Sequence, residues 1–159
     1  MTQIPFFEDE SSKRQPGFPT VERDTVNVLV WNPRMEEIIC LDWIKFGWRT
    51  FIIGGIEPGE KAVETAMREV TEETGYTDLE LVADLGQLQS AYFATHKKEN
   101  RIANTTGMLF RLVSDIKQEV KNATDLPHIF KWIKRDEVAD FLTLSSQKYL
   151  WDRAQPHLR

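Results

Sequence analysis

The residues able to do chemistry lie together in GGIEPGEKAVETAMREVTEETGY, the stretch from Gly54 to Tyr76. Glu69, Glu72 and Glu73 stand at i, i+3 and i+4, so on a helix they share one surface. Like charges at that spacing repel by roughly a few tenths of a kcal/mol per pair. The crowding makes sense with a divalent cation among them, and carboxylate oxygens suit Mg2+ or Mn2+. The glycines ahead of the helix allow a tight turn and a close approach of backbone to such an ion.

The surrounding chain must hold that surface in place. At about 100° per residue, Val63, Ala66, Met67, Val70 and Thr74 fall in one sector, the expected core face, with the three glutamates centred roughly 130° away. Gly75 follows the last turn, where glycine commonly ends a helix. Upstream, Thr25 to Trp31 is predicted to be a strand buried on both faces, with Val26, Val28 and Val30 on one side and Leu29 and Trp31 on the other. Ile38 to Ile44 reads likewise, and NPRMEE between them makes the pair a hairpin. A short strand, Phe51 to Ile53, delivers the chain to Gly54.

Downstream, LELVADLGQLQSAYFA supplies one or two strands, THKKENRIANTT a polar loop and GMLFRLVS another strand. IFKWI, residues 129–133, is predicted as the last strand, and RDEVADFL and SSQKYLWDR as closing helices. Residues 1–20 read as an arm interrupted by Pro5, Gly17 and Pro19, with Phe6, Phe7 and Phe18 available to tie it down. Residues 21–159 form a single domain of mixed α/β (α+β) class, a sandwich of strands around a central helix.

Composition narrows the classes of function. At 41% hydrophobic and 28% charged residues the chain has a globular make-up, and its apolar runs are too short to cross a bilayer. The start shows no secretory leader. The one cysteine, Cys40, forms no internal disulfide, which fits a reducing, cytoplasmic setting. A net charge of -5 argues against passive adhesion to nucleic acid.

The stretch 54–76 resembles the Nudix box of MutT-like hydrolases: glycine, five residues, Glu, seven residues, then Arg-Glu-apolar-x-Glu-Glu-x-Gly-apolar. Gly54, Glu60, Arg68, Glu69, Val70, Glu72, Glu73, Gly75 and Tyr76 match without insertion. The resemblance implies an α/β/α sandwich with a mixed sheet, and hydrolysis of a nucleoside diphosphate linked to a further group by water attack on a pyrophosphate phosphorus. It implies Mg2+ or Mn2+ held by Glu69, Glu72 and Glu73 with a backbone carbonyl near Gly54, Glu60 contributing through water, and Arg68 paired with Glu60 or Glu69. FGWRTF, GGIEPGE and KYLWDR are also similar to Nudix segments attached to some leucyl-tRNA synthetases.

Beyond the box, the general base stays open among Glu69, Glu72 and, from the polar loop, Glu99. His96, Lys97, Lys98 and Arg101 form a cationic cluster suited to phosphate oxygens, with solvated surface charge as the alternative. Trp48 and Tyr92 offer faces on which a base could stack, although aromatics in strands are commonly core. Glu57 is expected to be exposed and Tyr76 to be core; His128, ahead of the last strand, could line the site, although a lone histidine after proline is more commonly structural or at the surface. A proline about fifteen residues past the box, which marks ADP-ribose hydrolases, is missing. Tyr92, sixteen residues past Tyr76, leans towards the enzymes of nucleoside and dinucleoside polyphosphates. The alternative is a non-catalytic nucleotide-sensing or partner-binding module on the same scaffold. An isomerase reading would need a cysteine in the site, and Cys40 lies in a strand. Nudix proteins are often homodimers, and the aromatic arm would suit exchange between subunits.

Overall fold

The computed structural model describes residues 3–120 and 128–159. In chain order the elements are β1 (Phe6–Phe7), β2 (Thr20–Asn32), β3 (Glu37–Trp43), β4 (Trp48–Thr50), β5 (Ile52–Gly55), α1 (Ala62–Thr74), β6 (Leu79–Ala94), β7 (Glu99–Leu112), β8 (Ile129–Lys134), α2 (Val138–Phe141) and α3 (Ser145–Ala154). The long strand β2 organises the sheet. Along one edge it runs parallel to β7, from Thr20 opposite Asn100 to Trp31 opposite Arg111. Along the other it pairs antiparallel first with β5 and then with β3. Strand β3 also pairs with β4 and β8, β7 pairs with β6, and β1 adds in parallel to β6.

The period-2 alternation of β2 builds two cores. Val26, Val28 and Val30 face α1, where they join Ile52, Ala66, Val70 and Phe110. Leu29 and Trp31 face α2 and α3, with Ile38, Cys40, Phe51, Leu150 and Trp151. Fully burying each Val, Leu or Ile contributes about 1.5–3 kcal/mol, so the sheet is held from both faces. The result is the α/β/α sandwich with a mixed sheet.

Several local expectations change. Met67 is 38% exposed, and the buried residues of α1 are Thr65, Ala66, Val70 and Thr74. Thr65 can be buried because its hydroxyl is satisfied, donating to Glu60 at 2.6 Å. The expected polar loop at 95–106 is a four-residue turn, residues 95–98, followed directly by β7. Hydrogen bonding to β2 on one side and β6 on the other outweighs the polar composition there. Lys98 has φ 51°, which closes the turn. One strand serves for Leu79–Ala94, bent by irregular pairing between Leu81 and Ala83 and between Asp84 and Gly86. The short strand expected at residues 51–53 is β5, Ile52–Gly55, which takes in Gly54 itself, and β4 precedes it as a further strand.

The arm is tied to its own chain; the first two residues of the expected 1–20 stretch lie outside those described. Phe7 packs on Tyr149 and Phe18 on Phe93, with ring centroids 5.2 and 4.9 Å apart. Both oxygens of Asp9 accept from the Ser145 amide at the start of α3, at 3.3 and 3.2 Å. Among the described residues no helix is long and apolar enough to cross a membrane.

Candidate functional site

The loop after β5 is fastened to α1 by Glu60 and Arg68. Arg68 Nε and Nη2 donate to the two Glu60 oxygens at 2.7 and 2.9 Å, and Nη2 also reaches the Gly55 carbonyl at 3.3 Å. Glu60 accepts further bonds from the Thr65 hydroxyl and, at 3.1 Å, from the Glu57 amide. These donors, the guanidinium first, hold the Glu60 carboxyl down at about 2, well below the usual carboxylate range. At the helix start the Glu64 carboxylate accepts from the Lys61 amide at 3.3 Å, and at its end Gly75 adopts φ 84° and donates to the Thr71 carbonyl.

The remaining guanidinium nitrogen, Nη1, donates to Glu69 at 3.1 Å and to Glu72 at 3.2 Å. One arginine thus engages three of the box carboxylates, both of the partners expected for it and one more. Glu69 lies against Gly54, where a β-carbon would stand 2.2 Å from the Glu69 Cγ. The bare glycine is the space in which the Glu69 side chain sits. Burial pushes the Glu69 carboxyl up to about 7, the negative charge of Glu72 adds to this, and Arg68 opposes it. An acid held so far from its ordinary range, beside two more acids, is one that a cation would relieve.

Glu73 points elsewhere. Its Oε2 is hydrogen-bonded to Nε2 of His128, whose ring packs on Trp43 with centroids 4.3 Å apart. His128 is buried, and its bond to a box carboxylate brings it to the site that the sequence offered it as able to line. Its position just before β8 gives no sequence signal for that contact. Among the described residues no three acids or histidines already converge around a common ion position. Glu69 and Glu72 meet at Arg68, with Glu69 against the Gly54 backbone, and carboxylate oxygens of this kind could hold Mg2+ or Mn2+.

On the opposite face of β5, a cleft of about 270 Å3 opens between the sheet and the start of α3. Of the residues proposed for substrate contact, Trp48, Tyr92, His96 and Arg101 line it. Trp48 and Tyr92 meet edge to face, centroids 5.6 Å apart. Glu99 is not among the lining residues; on β7 it holds Arg101, accepting from Nε at 2.7 Å. Glu99 thus stands at the start of β7 rather than in a loop, paired with Arg101. Arg23, Asn27 and Trp43 also line the cleft. Arg23 lies over Gly55, where a β-carbon would be 2.6 Å from its Nη2. These three escape a sequence reading because an arginine, an asparagine and a tryptophan within strands look like edge or core positions. Cys40 is fully buried in the core, and burial pushes its thiol up to about 12, so the isomerase reading has no cysteine to use.

A family model described as NUDIX domain matches residues 21–153. No curated protein matches the chain. Among solved structures the fold is similar to an Ap4A hydrolase of C. elegans, with a TM-score of 0.63 at 19% identity over 87% of this chain and 100% of that one. It is similar also to the dihydroneopterin triphosphate pyrophosphohydrolase of E. coli, with a TM-score of 0.60 at 16% identity over 92% and 97%. A MutT protein from Methanosarcina mazei Go1 gives 0.58 at 21% identity over 91% and 100%.

Proposed function

Because the chain belongs to the NUDIX domain family, we propose that it is a divalent-metal-dependent pyrophosphohydrolase of nucleoside polyphosphates, with residues 21–159 as the catalytic domain and residues 1–20 as an arm that completes its cleft. The observation that carries this reading is the Arg68 hub, which draws Glu60, Glu69 and Glu72 together at the Gly54–Gly55 backbone. The arm contributes Phe7, Asp9 and Ser12 to the cleft wall.

Glu69, Glu72 and Glu73, with a backbone carbonyl near Gly54, are the groups that would hold Mg2+ or Mn2+. Such an ion neutralises pyrophosphate charge and makes bound water a nucleophile near neutral pH. Glu60 and Arg68 position rather than react, because both are fully engaged with each other and with the loop. Arg23 and Lys97 supply the cleft with positive charge for phosphate oxygens, while the charge of Arg101 is shared with Glu99. Trp48 and Tyr92 supply aromatic wall for the nucleoside. Tyr92 supports the lean towards nucleoside and dinucleoside polyphosphates, and Ap4A and dihydroneopterin triphosphate, named for two of the similar structures, are both polyphosphate esters. The single buried thiol fits a cytoplasmic setting.

The test is a panel of nucleoside triphosphates, nucleotide sugars and dinucleoside polyphosphates with Mg2+. Release of a nucleoside mono- or diphosphate from at least one is expected. Tight binding with no turnover of any would replace this reading with that of a nucleotide sensor.

A further inference from the structure

Asn27 stands on the cleft face of β2, opposite Ile53 on β5 and one step from the Val26–Gly54 pair. It is 4% exposed and lines the cleft, and its Oδ1 has no hydrogen-bond partner among the described residues. The polar groups beside it are already engaged. The Thr25 and Thr105 hydroxyls bond to each other at 2.8 Å, and Gln147 Oε1 accepts from the Phe51 amide at 2.9 Å. A buried acceptor left open is costly until a donor meets it, and Oδ1, closed off as the amide stands, reaches the cleft by a turn about the Cβ–Cγ bond. A ligand that draws it out must bring a donor of its own.

We propose that Asn27 is a specificity-determining residue whose Oδ1 accepts an N–H from the edge of the substrate's nucleobase. This inference rests on the reading of the cleft as a nucleotide site. A sugar or an alkyl chain could fill the same space, but the wall formed by Trp48 and Tyr92 favours a flat ring. A nucleobase carries N–H donors fixed in its ring plane, whereas the ribose donates only through rotatable hydroxyls and the ionised phosphates donate none. A side-chain amide is moreover the group that reads such edges with an acceptor and a donor together. Asn27 stands opposite Ile53, next along β5 from Gly54 and Gly55, so a base held at Asn27 lies beside the backbone that leads to α1.

The experiment compares wild type and Asn27→Leu, a change that keeps the branched shape and removes the amide. The substrates are the best-turned-over of ATP, GTP, CTP and UTP, and 5-phosphoribosyl 1-pyrophosphate, which has no base. The preference for the nucleotide, read as the ratio of kcat/KM values, is expected to fall about ten- to hundredfold, mainly through KM. The Tm is expected to hold or rise, because an unpaired buried acceptor has been removed. An unchanged ratio, or an equal loss on both substrates with a lower Tm, would overturn the proposal. Should wild type hydrolyse none of them, Asn27 is judged by equilibrium binding of the same nucleotides. Weaker binding to Asn27→Leu by the same factor upholds the base contact; equal binding, or no binding to wild type, ends it.

Discussion

Arg68 and Glu60 meet in a two-pronged bond across the loop–helix junction, Nε to Oε2 at 2.7 Å and Nη2 to Oε1 at 2.9 Å. A lysine in place of the arginine has one compact ammonium and cannot form that fork while also reaching Glu69, Glu72 and the Gly55 carbonyl. Arg68→Lys is therefore expected to lower kcat or Mg2+ affinity by about 10–100-fold, the range for groups that orient metal ligands. Steady-state kinetics against Mg2+ concentration checks this, and a variant within twofold of wild type in both would contradict it.

Glu69 makes the site sensitive to pH. Its folded-state value of about 7 lies above the ordinary 4.5, first because of burial and then because of Glu72, so the folded protein holds this proton more firmly than the unfolded chain does. The contribution to stability is complete below about pH 4.5 and is lost as pH rises through about 7. A cation binds the carboxylate and competes with the proton, so its effect has the opposite slope. The Tm gap between Mg2+-loaded and metal-free protein is expected to widen from pH 5.5 to 8, and to become flat in Glu69→Gln. A gap independent of pH in wild type would remove Glu69 from the donor set.

Two glycine substitutions separate chemistry from stability. In Gly54→Ala the new methyl meets the Glu69 side chain at 2.2–2.6 Å and displaces it, so activity is expected to fall more than tenfold with little change in Tm. In Gly107→Ala the methyl meets Leu150 Cδ2 at 2.5 Å and Leu85 Cβ at 3.3 Å in the core. Overpacking there costs about 1–3 kcal/mol, or roughly 2–4 °C of Tm per kcal/mol. Thermal melts run beside kinetics check both; matching effects in the two variants would contradict the division.

Cys40 is buried and its thiol is pushed up to about 12. A thiol reagent such as 5,5′-dithiobis(2-nitrobenzoate) is expected to leave the native protein unmodified and to react with one thiol after denaturation. Native labelling at a rate near that of a free thiol would show that the core between the sheet and α3 opens readily.

Periodicity made the central parts of the fold legible. The alternation in β2 foretold two cores, and Gly75 foretold the end of α1, because both depend on local geometry alone. The strand pairing of Glu99–Leu112 was hidden, since Asn100, Asn104 and Thr106 look like loop residues until both neighbouring strands are in place. At the site, the box spacing brought Glu60, Arg68, Glu69 and Glu72 together as read. The contact of His128 with Glu73 crosses 55 positions of sequence, and Asn27 owes its significance to an unfilled bond, neither of which a one-dimensional pattern displays.

The most direct test of the central claim is hydrolysis of the nucleotide panel, product by product, by wild type and Glu73→Gln, each with Mg2+ and with excess chelator. Turnover with Mg2+ is predicted for wild type, with loss in chelator and a fall of at least about 100-fold in Glu73→Gln, as expected when a metal-binding group is removed from a site that works through bound water. Chelator-resistant turnover, or a Glu73→Gln variant as active as wild type, would contradict the account.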